Sequence, residues 1–169
     1  MILVIDLEAT CSDDGSITPE QMEVIELGAA WATPDGEVID TLQRFVRPTE
    51  RPTLTPFCRS LTHIEQASID TAPNWPTVAA ELAEFARLHA GQCWGSWGAY
   101  DRRQIERESA RNGLADPLAG LPQAPVFRLG VREVLFQRVE AVFVRQHQLA
   151  GQVLNQWVLF DTDFGHWPD

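Results

Sequence analysis

The chain opens with a short, strongly apolar run that ends in acidic side chains. Residues 2–7 are Ile-Leu-Val-Ile-Asp-Leu, and Glu8 follows directly. The run is too short for a typical helix and is rich in β-branched residues, which favours a buried strand. The rest of the chain must therefore supply the partner strands and the covering helices of a sheet-based fold.

A second and a third strand follow in the sequence. Residues 23–33 and 37–46 have strand patterns, and Pro34-Asp35-Gly36 between them is a turn signal. These two segments therefore predict an antiparallel hairpin. Residues 47–58 contain three prolines and predict an extended loop.

Helices and one more strand are expected beyond that loop. A short helix over 62–67, capped by Ser60 or Thr62, precedes a longer helix over 76–89 with apolar residues at helical spacing. We expect a strand over 92–97 and an arginine-rich helix over 101–112 that ends at Gly113. The remaining predictions are a loop at prolines 117, 122 and 125, a helix over 129–149, with a strand over 139–144 as the alternative, and an irregular tail over 158–169.

This order of elements predicts an α/β fold with one mixed central sheet flanked by helices. The length suits a single domain over residues 1–169, and a 44% apolar content excludes a disordered chain. No apolar run approaches the roughly 20 residues of a membrane span, so we expect no membrane partner. The N-terminus has no basic segment, which predicts no secretory signal. Three scattered cysteines fit a reducing cytoplasm and not a disulfide framework.

Acidic side chains stand at the ends of two predicted strands. Asp6 and Glu8 lie two residues apart and therefore on one face of the first strand, and Asp101 follows the strand over 92–97. Sites in α/β sheets gather at strand ends, so these carboxylates can converge. Neighbouring carboxylates repel unless a cation lies between them, and Mg²⁺ and Mn²⁺ prefer oxygen ligands. The alternative is that Asp6 and Glu8 end a strand at the solvent and Asp101 caps a helix.

Four segments of the chain, in order, resemble the motifs of a known enzyme family. They are Val4-Ile5-Asp6-Leu7-Glu8-Ala9-Thr10-Cys11, Glu23-Val24-Ile25-Glu26-Leu27-Gly28-Ala29, Leu61-Thr62-His63-Ile64 with Asp70-Thr71-Ala72-Pro73, and Trp94-Gly95-Ser96-Trp97-Gly98-Ala99-Tyr100-Asp101. In sequence and spacing they are similar to the DEDD-type (DEDDh) 3′–5′ exonucleases, in particular the ERI-1-like RNA-processing branch. The resemblance covers roughly residues 2–112 and implies an RNase H-like sheet.

The resemblance also implies a catalytic site. Asp6, Glu8 and Asp101 would hold two divalent ions, Mg²⁺ or Mn²⁺, about 3.5–4 Å apart. Such ions would stabilise the charge that develops on a scissile phosphate. The terminal nucleotide would lie against Leu61, Thr62 and the main chain of Ala9 and Thr10. For Leu61 the alternative is a core position, and for Thr62 it is a helix cap.

The C-terminal third departs from the family pattern. The family places a histidine and an aspartate there with four residues between them, as general base and fourth carboxylate. His147 is the nearest match, but Gln152 stands where the carboxylate is expected, and an amide oxygen is a weaker ligand for Mg²⁺. Residues 161–169, with His166, form a second candidate. His147 is therefore predicted as the base, with a surface position on a helix as the alternative.

The charge of the whole chain constrains its partners. Twenty-four acidic residues against 13 basic ones give a formal charge of −11, and every basic residue is arginine. Phosphate is usually met by a basic surface, so this balance argues against nucleic acid unless cations reverse the sign locally. Arg103, Arg107 and Arg111 share one helix face, either as a solvated face or as a phosphate-contacting flank. Trp75, in a predicted turn, is a candidate for stacking on bases, with packing in the core as the alternative.

Together these features predict a metal-dependent 3′–5′ exonuclease that binds the 3′ end of single-stranded RNA or DNA. The alternative is a catalytically impaired module of the same fold that binds nucleic-acid ends or a protein. A third reading is an acidic α/β protein whose carboxylates bind cations structurally.

Overall fold

A computed structural model of the chain describes residues 1–91, 93–96 and 99–123. The strands are β1 (Ile2–Ala9), β2 (Val24–Ala32), β3 (Val38–Phe45) and β4 (Cys93–Gly95). The helices are α1 (Pro56–Thr62), α2 (Gln66–Asp70), α3 (Trp75–Phe85) and α4 (Tyr100–Arg111), with a 3-10 turn at Pro19–Gln21. The predicted α/β class is confirmed. The predicted helix over 129–149 and the tail over 158–169 lie outside the described residues.

The four strands form one mixed sheet in the order β3-β2-β1-β4. β1 pairs with β2 and β2 with β3 in antiparallel fashion, so the predicted hairpin is confirmed. β4 pairs with β1 in parallel, but only along Ile2–Val4. The last residues of β1 therefore extend beyond the end of β4.

Side chains of β1 alternate between two buried clusters. Leu3, Ile5 and Leu7 pack into the main core with Trp31 of β2 and with α3 and α4. Ile2 and Val4 pack on the opposite face, with Ala30 and Ala32 of β2. Asp6 and Glu8 follow Ile2 and Val4 in the strand's period of two, and both are partly exposed. On this second face of β1, the apolar side chains are therefore followed by two carboxylates.

The region after β3 differs from the sequence prediction in its helix boundaries. The extended loop predicted over 47–58 holds only over 47–55, because α1 already begins at Pro56. The helix predicted over 62–67, with its cap at Ser60 or Thr62, was wrong, since α1 ends at Thr62. Thr55 caps α1, since its hydroxyl oxygen accepts a hydrogen bond from the Cys58 N–H. His63 then adopts φ 58°, which stops the helix. A proline at the first helical position favours a helix start, and this effect outweighed the loop signal of a proline-rich segment.

The later elements lie close to their predicted positions. α3 ends at Phe85 and not at residue 89, and its first residue, Trp75, is buried in the core and is no exposed stacking residue. α4 ends before Gly113, whose φ of 64° matches the predicted glycine stop. Within the part of the chain that the structure describes, no helix is long and apolar enough to cross a membrane.

Candidate active site

The site is built where β1 runs past the end of β4. Asp101, the second residue of α4, is almost fully buried, and its Oδ1 accepts a hydrogen bond of 3.0 Å from the Leu7 N–H. Leu7 lies between Asp6 and Glu8, so the Asp101 carboxylate adjoins the strand segment that carries the other two acids. The structure thus brings together the three carboxylates singled out in the sequence.

Glu8 is at the centre of this group of acids. Burial raises the pKa of the Glu8 carboxyl well above its usual range, and the nearby charges of Asp6, Glu26 and Asp101 raise it further. Glu26 lies directly opposite Glu8 in the register of β1 and β2, and accepts a hydrogen bond from the Gln43 side chain. Sequence reasoning did not assign Glu26 to the site, although its cross-strand position would follow once the register of the hairpin was known.

The pKa of the Asp101 carboxyl is set by opposing effects. Burial raises the pKa of Asp101 to about 7, and hydrogen bonds from the Ser96 hydroxyl and the Leu7 N–H act in the opposite direction. Donors to a carboxylate favour its ionised form, whereas burial disfavours it. Ser96, like Glu26, was not among the predicted site residues.

The donor set fits a hard divalent cation. The donor atoms are carboxylate oxygens of side chains that are partly or fully buried. The mutual repulsion of these carboxylates falls when a cation lies between them. In the described part of the chain no group of three or more His, Cys, Asp and Glu side chains is arranged so that it could hold a metal ion. Mg²⁺ usually takes one or two carboxylates and completes its shell with water and substrate phosphate. The fit is therefore one of donor chemistry and not of a formed set of ligands.

The predicted nucleotide-contacting residues lie on two adjoining segments. α1 is tied to the exit of β1, because the Thr55 hydroxyl donates to the Cys11 carbonyl at 2.7 Å and the Cys58 thiol donates to the Ala9 carbonyl at 3.7 Å. Leu61, near the end of α1, packs against the buried cluster that contains Cys11 and Cys58, and Thr62 follows it.

The two threonine side chains already have local partners. The Thr10 hydroxyl oxygen accepts from the Glu23 N–H at 3.0 Å, and the Thr62 hydroxyl donates to the Cys58 carbonyl at 2.8 Å. Thr10 is also almost completely buried. The half-buried Leu61 is therefore better suited to contact a ligand than either hydroxyl.

The arginines of α4 do not act as one group. Arg111 contacts Glu108, the Met22 carbonyl and the Glu20 carbonyl, so it joins the helix to the 3-10 turn. Arg103 is exposed and has no ion-pair partner among the described residues. Of the predicted phosphate-contacting arginines, Arg103 is therefore exposed for such a contact, whereas Arg111 is engaged within the protein.

The C-terminal candidates lie outside the described residues. They are His147, Gln152, His166 and the segment 161–169. Of the other histidines, His63 is exposed at the end of α1, and His89 packs edge-on against Trp31 and contacts Asp40 at 3.5 Å. Neither adjoins the three carboxylates through any contact in the described part of the chain.

The amino-acid sequence is similar to those of known exonucleases. The sequence pattern of the exonuclease family of the RNase T type matches residues 3–93. The chain is 38% identical over 90 residues to the 3′–5′ exonuclease eri1 of Schizosaccharomyces pombe, covering 53% of this chain and 30% of that protein. It is 36% identical over 88 residues to human 3′–5′ exoribonuclease 1, covering 52% of this chain and 25% of that protein.

Solved structures show the same fold. The nuclease domain of 3′hExo, a DEDDh family member bound to rAMP, superposes with a TM-score of 0.63 at 22% identity, over 92% of this chain and 96% of that one. A 3′-exonuclease in a structure of histone mRNA stem-loop recognition gives a TM-score of 0.61 at 27% identity, over 68% and 54% of the two chains. The chain spans less than a third of either curated relative named above.

Proposed function

Because the chain belongs to the exonuclease family of the RNase T type, we propose that it is a metal-dependent 3′–5′ exonuclease. Its substrate is the 3′ end of single-stranded RNA or DNA, with RNA favoured because the relatives include a protein named as an exoribonuclease. We also propose that the chain forms a single catalytic domain and acts in the cytoplasm.

One observation carries this proposal. The Asp101 carboxylate, on a helix 94 residues further along the chain, is hydrogen-bonded to the Leu7 N–H between Asp6 and Glu8. A buried group of like charges costs folding free energy unless a cation offsets it. The presence of such a group in this protein supports a role in holding metal ions.

The proposed reaction assigns a task to each residue. Asp6, Glu8 and Asp101 hold Mg²⁺ or Mn²⁺, two ions in all. When bound, these ions supply positive charge at the phosphate and acidify the attacking water. His147 accepts the proton of that water as general base. The main chain of Ala9 and Thr10, with Leu61 and Thr62 of α1, positions the terminal nucleotide.

A second candidate function is favoured by the C-terminal sequence. Gln152 stands where the resemblance places a fourth carboxylate, and a neutral ligand weakens a site for divalent ions. The second candidate is therefore a catalytically impaired module that binds a nucleic-acid end or a protein partner.

A cleavage assay separates the two candidates. A single-stranded RNA labelled at its 5′ end is incubated with the protein and Mn²⁺, and products are resolved by length. Stepwise shortening from the 3′ end is expected, and Asp6→Ala should abolish it with little loss of stability. Asp40→Ala is the matched control, since it removes the same charge from β3. Binding without shortening would overturn the enzyme and favour the module.

The general base is tested in the same assay. If His147 accepts the proton, His147→Ala should slow cleavage by roughly 10²–10⁴-fold at saturating substrate. His166→Ala serves as the comparison, because His166 is the other histidine of the C-terminal segment. An unchanged rate for His147→Ala would remove it from the mechanism.

A further inference from the structure

One side of α4 carries arginines that the exonuclease chemistry proposed above does not use. This arginine flank is formed by Tyr100, Arg103, Gln104 and Arg107. The Tyr100 hydroxyl contacts the Met22 Sδ at 3.8 Å, and the Gln104 side-chain amide donates to the Met22 carbonyl at 3.0 Å. Tyr100 directly precedes Asp101 in the helix. The flank therefore begins beside the carboxylates and leads away from them along α4.

Arg107 is held in place on this flank without an acid to neutralise it. Its Nη2 donates to the Gln104 side-chain oxygen at 2.7 Å, and its Nε has no hydrogen-bond partner in the described part of the chain. Among the described residues no carboxylate lies within ion-pair distance of its guanidinium. The exposed Glu20 does not fill that role, because its pKa is lowered first by hydrogen bonds from its own N–H and from Thr18, and only last by the charge of Arg107. The half-buried guanidinium is therefore positioned, with N–H donors left for a further acceptor.

Arg103 precedes Arg107 by four residues and adds a second charge to the flank. Like charges at this spacing destabilise a helix. Arg111, four residues after Arg107, is paired with Glu108 at 2.7 Å, whereas Arg103 and Arg107 have no such partner among the described residues. The chain has 24 acidic residues against 13 basic ones. Two uncompensated arginines in so acidic a protein indicate an anionic partner from outside.

We propose that Arg103 and Arg107 bind backbone phosphates of the substrate strand on the 5′ side of its terminal nucleotide, so that the strand runs along the arginine flank. The direction of the strand rests on the proposed function, which places the 3′ end at the carboxylates. At a rise of about 1.5 Å per residue, Arg103 and Arg107 lie roughly 3 Å and 9 Å beyond Asp101 along the helix axis. Successive phosphates therefore meet one arginine and then the other. The planar guanidinium binds phosphate through paired N–H donors, which suits this task.

The test measures binding of a single-stranded RNA with phosphorothioate linkages at its 3′ end, by fluorescence anisotropy in Mn²⁺. Arg103→Ala and Arg107→Ala should each weaken binding about tenfold, the loss expected for one hydrogen bond to a charged group. Each should also reduce the slope of log Kd against log salt concentration by about 0.7, because one phosphate contact fewer is made. Arg107→Lys keeps the charge and should keep the slope while losing part of the affinity.

Arg87→Ala is the matched control. Arg87 is also exposed, has no ion-pair partner in the part of the chain that the structure describes, and lies two residues after the end of α3. The nearby Phe85 carbonyl accepts a hydrogen bond from Trp31, which pairs with Leu3 near the start of β1. The carboxylates lie at the other end of that strand. Arg87→Ala therefore removes the same charge far from the flank and should leave affinity and salt slope unchanged.

Strand length provides a second readout. The loss in Arg107→Ala should shrink when the strand is shortened to two nucleotides, because the single phosphate that remains lies at the carboxylates. A variant that had merely lost part of its fold would bind strands of every length less well by the same factor. Circular dichroism of each variant checks the fold directly.

The outcomes separate this inference from the proposed function. Unchanged affinity and slope in both α4 variants, an equal loss in Arg87→Ala, or no RNA binding by the wild type would each overturn it. Binding of polyglutamate in place of RNA, lost in Arg107→Ala, would also overturn it and assign the flank to an acidic protein segment. Weakened RNA binding in the α4 variants together with no cleavage by the wild type would support the flank while refuting the exonuclease. Cleavage by the wild type with unchanged binding by the variants would do the reverse.

Discussion

At the scale of single residues, Asp101 shows that the site costs stability when no cation is bound. Burial raises its folded-state pKa to about 7, whereas an unfolded aspartate has a pKa of about 3.9. Between these two values the folded state holds a proton that the unfolded state has released. The contribution of Asp101 to the free energy of unfolding is therefore fully present below about pH 4. It is lost as the pH rises through about 7, where the buried carboxyl ionises.

The direction of this pKa shift predicts how the stability of the metal-free protein depends on pH. In EDTA, Tm should fall as the pH is raised from about 5.5 to 8, because Asp101 must ionise while buried. Asp101→Asn should reduce the slope without abolishing it, since the pKa of Glu8 is also raised. Added Mn²⁺ should restore stability at pH 8 in the wild type only. Thermal unfolding at a series of pH values checks this, and equal slopes for the two proteins would contradict it.

At the scale of elements, the turn before β4 depends on a close contact with β2. A Cβ added at Gly91 would overlap the ring of Trp31, which is buried and whose Nε1 donates to the Phe85 carbonyl at 2.9 Å. The ring is fixed by that bond and by the surrounding core, so it has little room to move. This contact sets how the chain approaches β4.

Gly91→Ala is therefore expected to lower the free energy of unfolding by about 1–3 kcal/mol, the usual range for overpacking a core. Gly120→Ala is the matched control, because a Cβ there meets no atom within 4 Å. Urea unfolding monitored by tryptophan fluorescence measures both. Equal stability of the two variants would show that the Trp31 ring can shift freely.

α4 and the 3-10 turn are joined by Arg111. The Arg111 guanidinium contacts the Glu108 carboxylate at 2.7 Å and backbone carbonyls of residues 20 and 22. Glu108 is almost fully buried, and burial raises the pKa of its carboxyl. Loss of the arginine would leave that acid without its ion-pair partner.

Arg111→Ala should thus destabilise the protein by about 1.5–3 kcal/mol, the range for hydrogen bonds to charged groups. Arg103→Ala removes the same charge from the exposed side of the same helix and should change stability by less than about 0.5 kcal/mol. Chemical denaturation of the two variants side by side checks the difference. A similar loss in both would mean that net charge, not the contact, decides stability.

At the scale of the whole molecule, the charge of −11 shapes how a substrate can be captured. A strongly acidic protein repels nucleic acid at long range, so electrostatic steering is weak. Cations held by Asp6, Glu8 and Asp101 would reverse the sign locally. Binding is then expected to be short-range, confined to strand ends and dependent on divalent ions.

Fluorescence anisotropy with a single strand that carries phosphorothioate linkages at its 3′ end tests this expectation. Binding should be clear in Mn²⁺ and strongly weakened in EDTA, and a long duplex should not bind in EDTA. Asp6→Ala should bind weakly under both conditions. Tight binding of the duplex without metal would contradict the argument and indicate a basic surface elsewhere on the protein.

The sequence by itself determined the succession of strands along the chain, the hairpin, the glycine stop of α4 and the shared face of Asp6 and Glu8. Each of these follows from local rules, namely a side-chain period of two, turn chemistry and helix-ending residues. It also supported the family, since four motifs in order are a property of the chain before folding. The start of α1 was mispredicted because a proline-rich segment is consistent with either a loop or a helix start.

Only the tertiary structure decided which groups meet at the site. Asp101 reaches Leu7 because β4 pairs with just the first residues of β1 and leaves the rest of that strand edge to α4. Glu26 lies opposite Glu8 through the register of two strands. These contacts join residues far apart in the chain, and no local pattern encodes them, because they depend on how the elements pack.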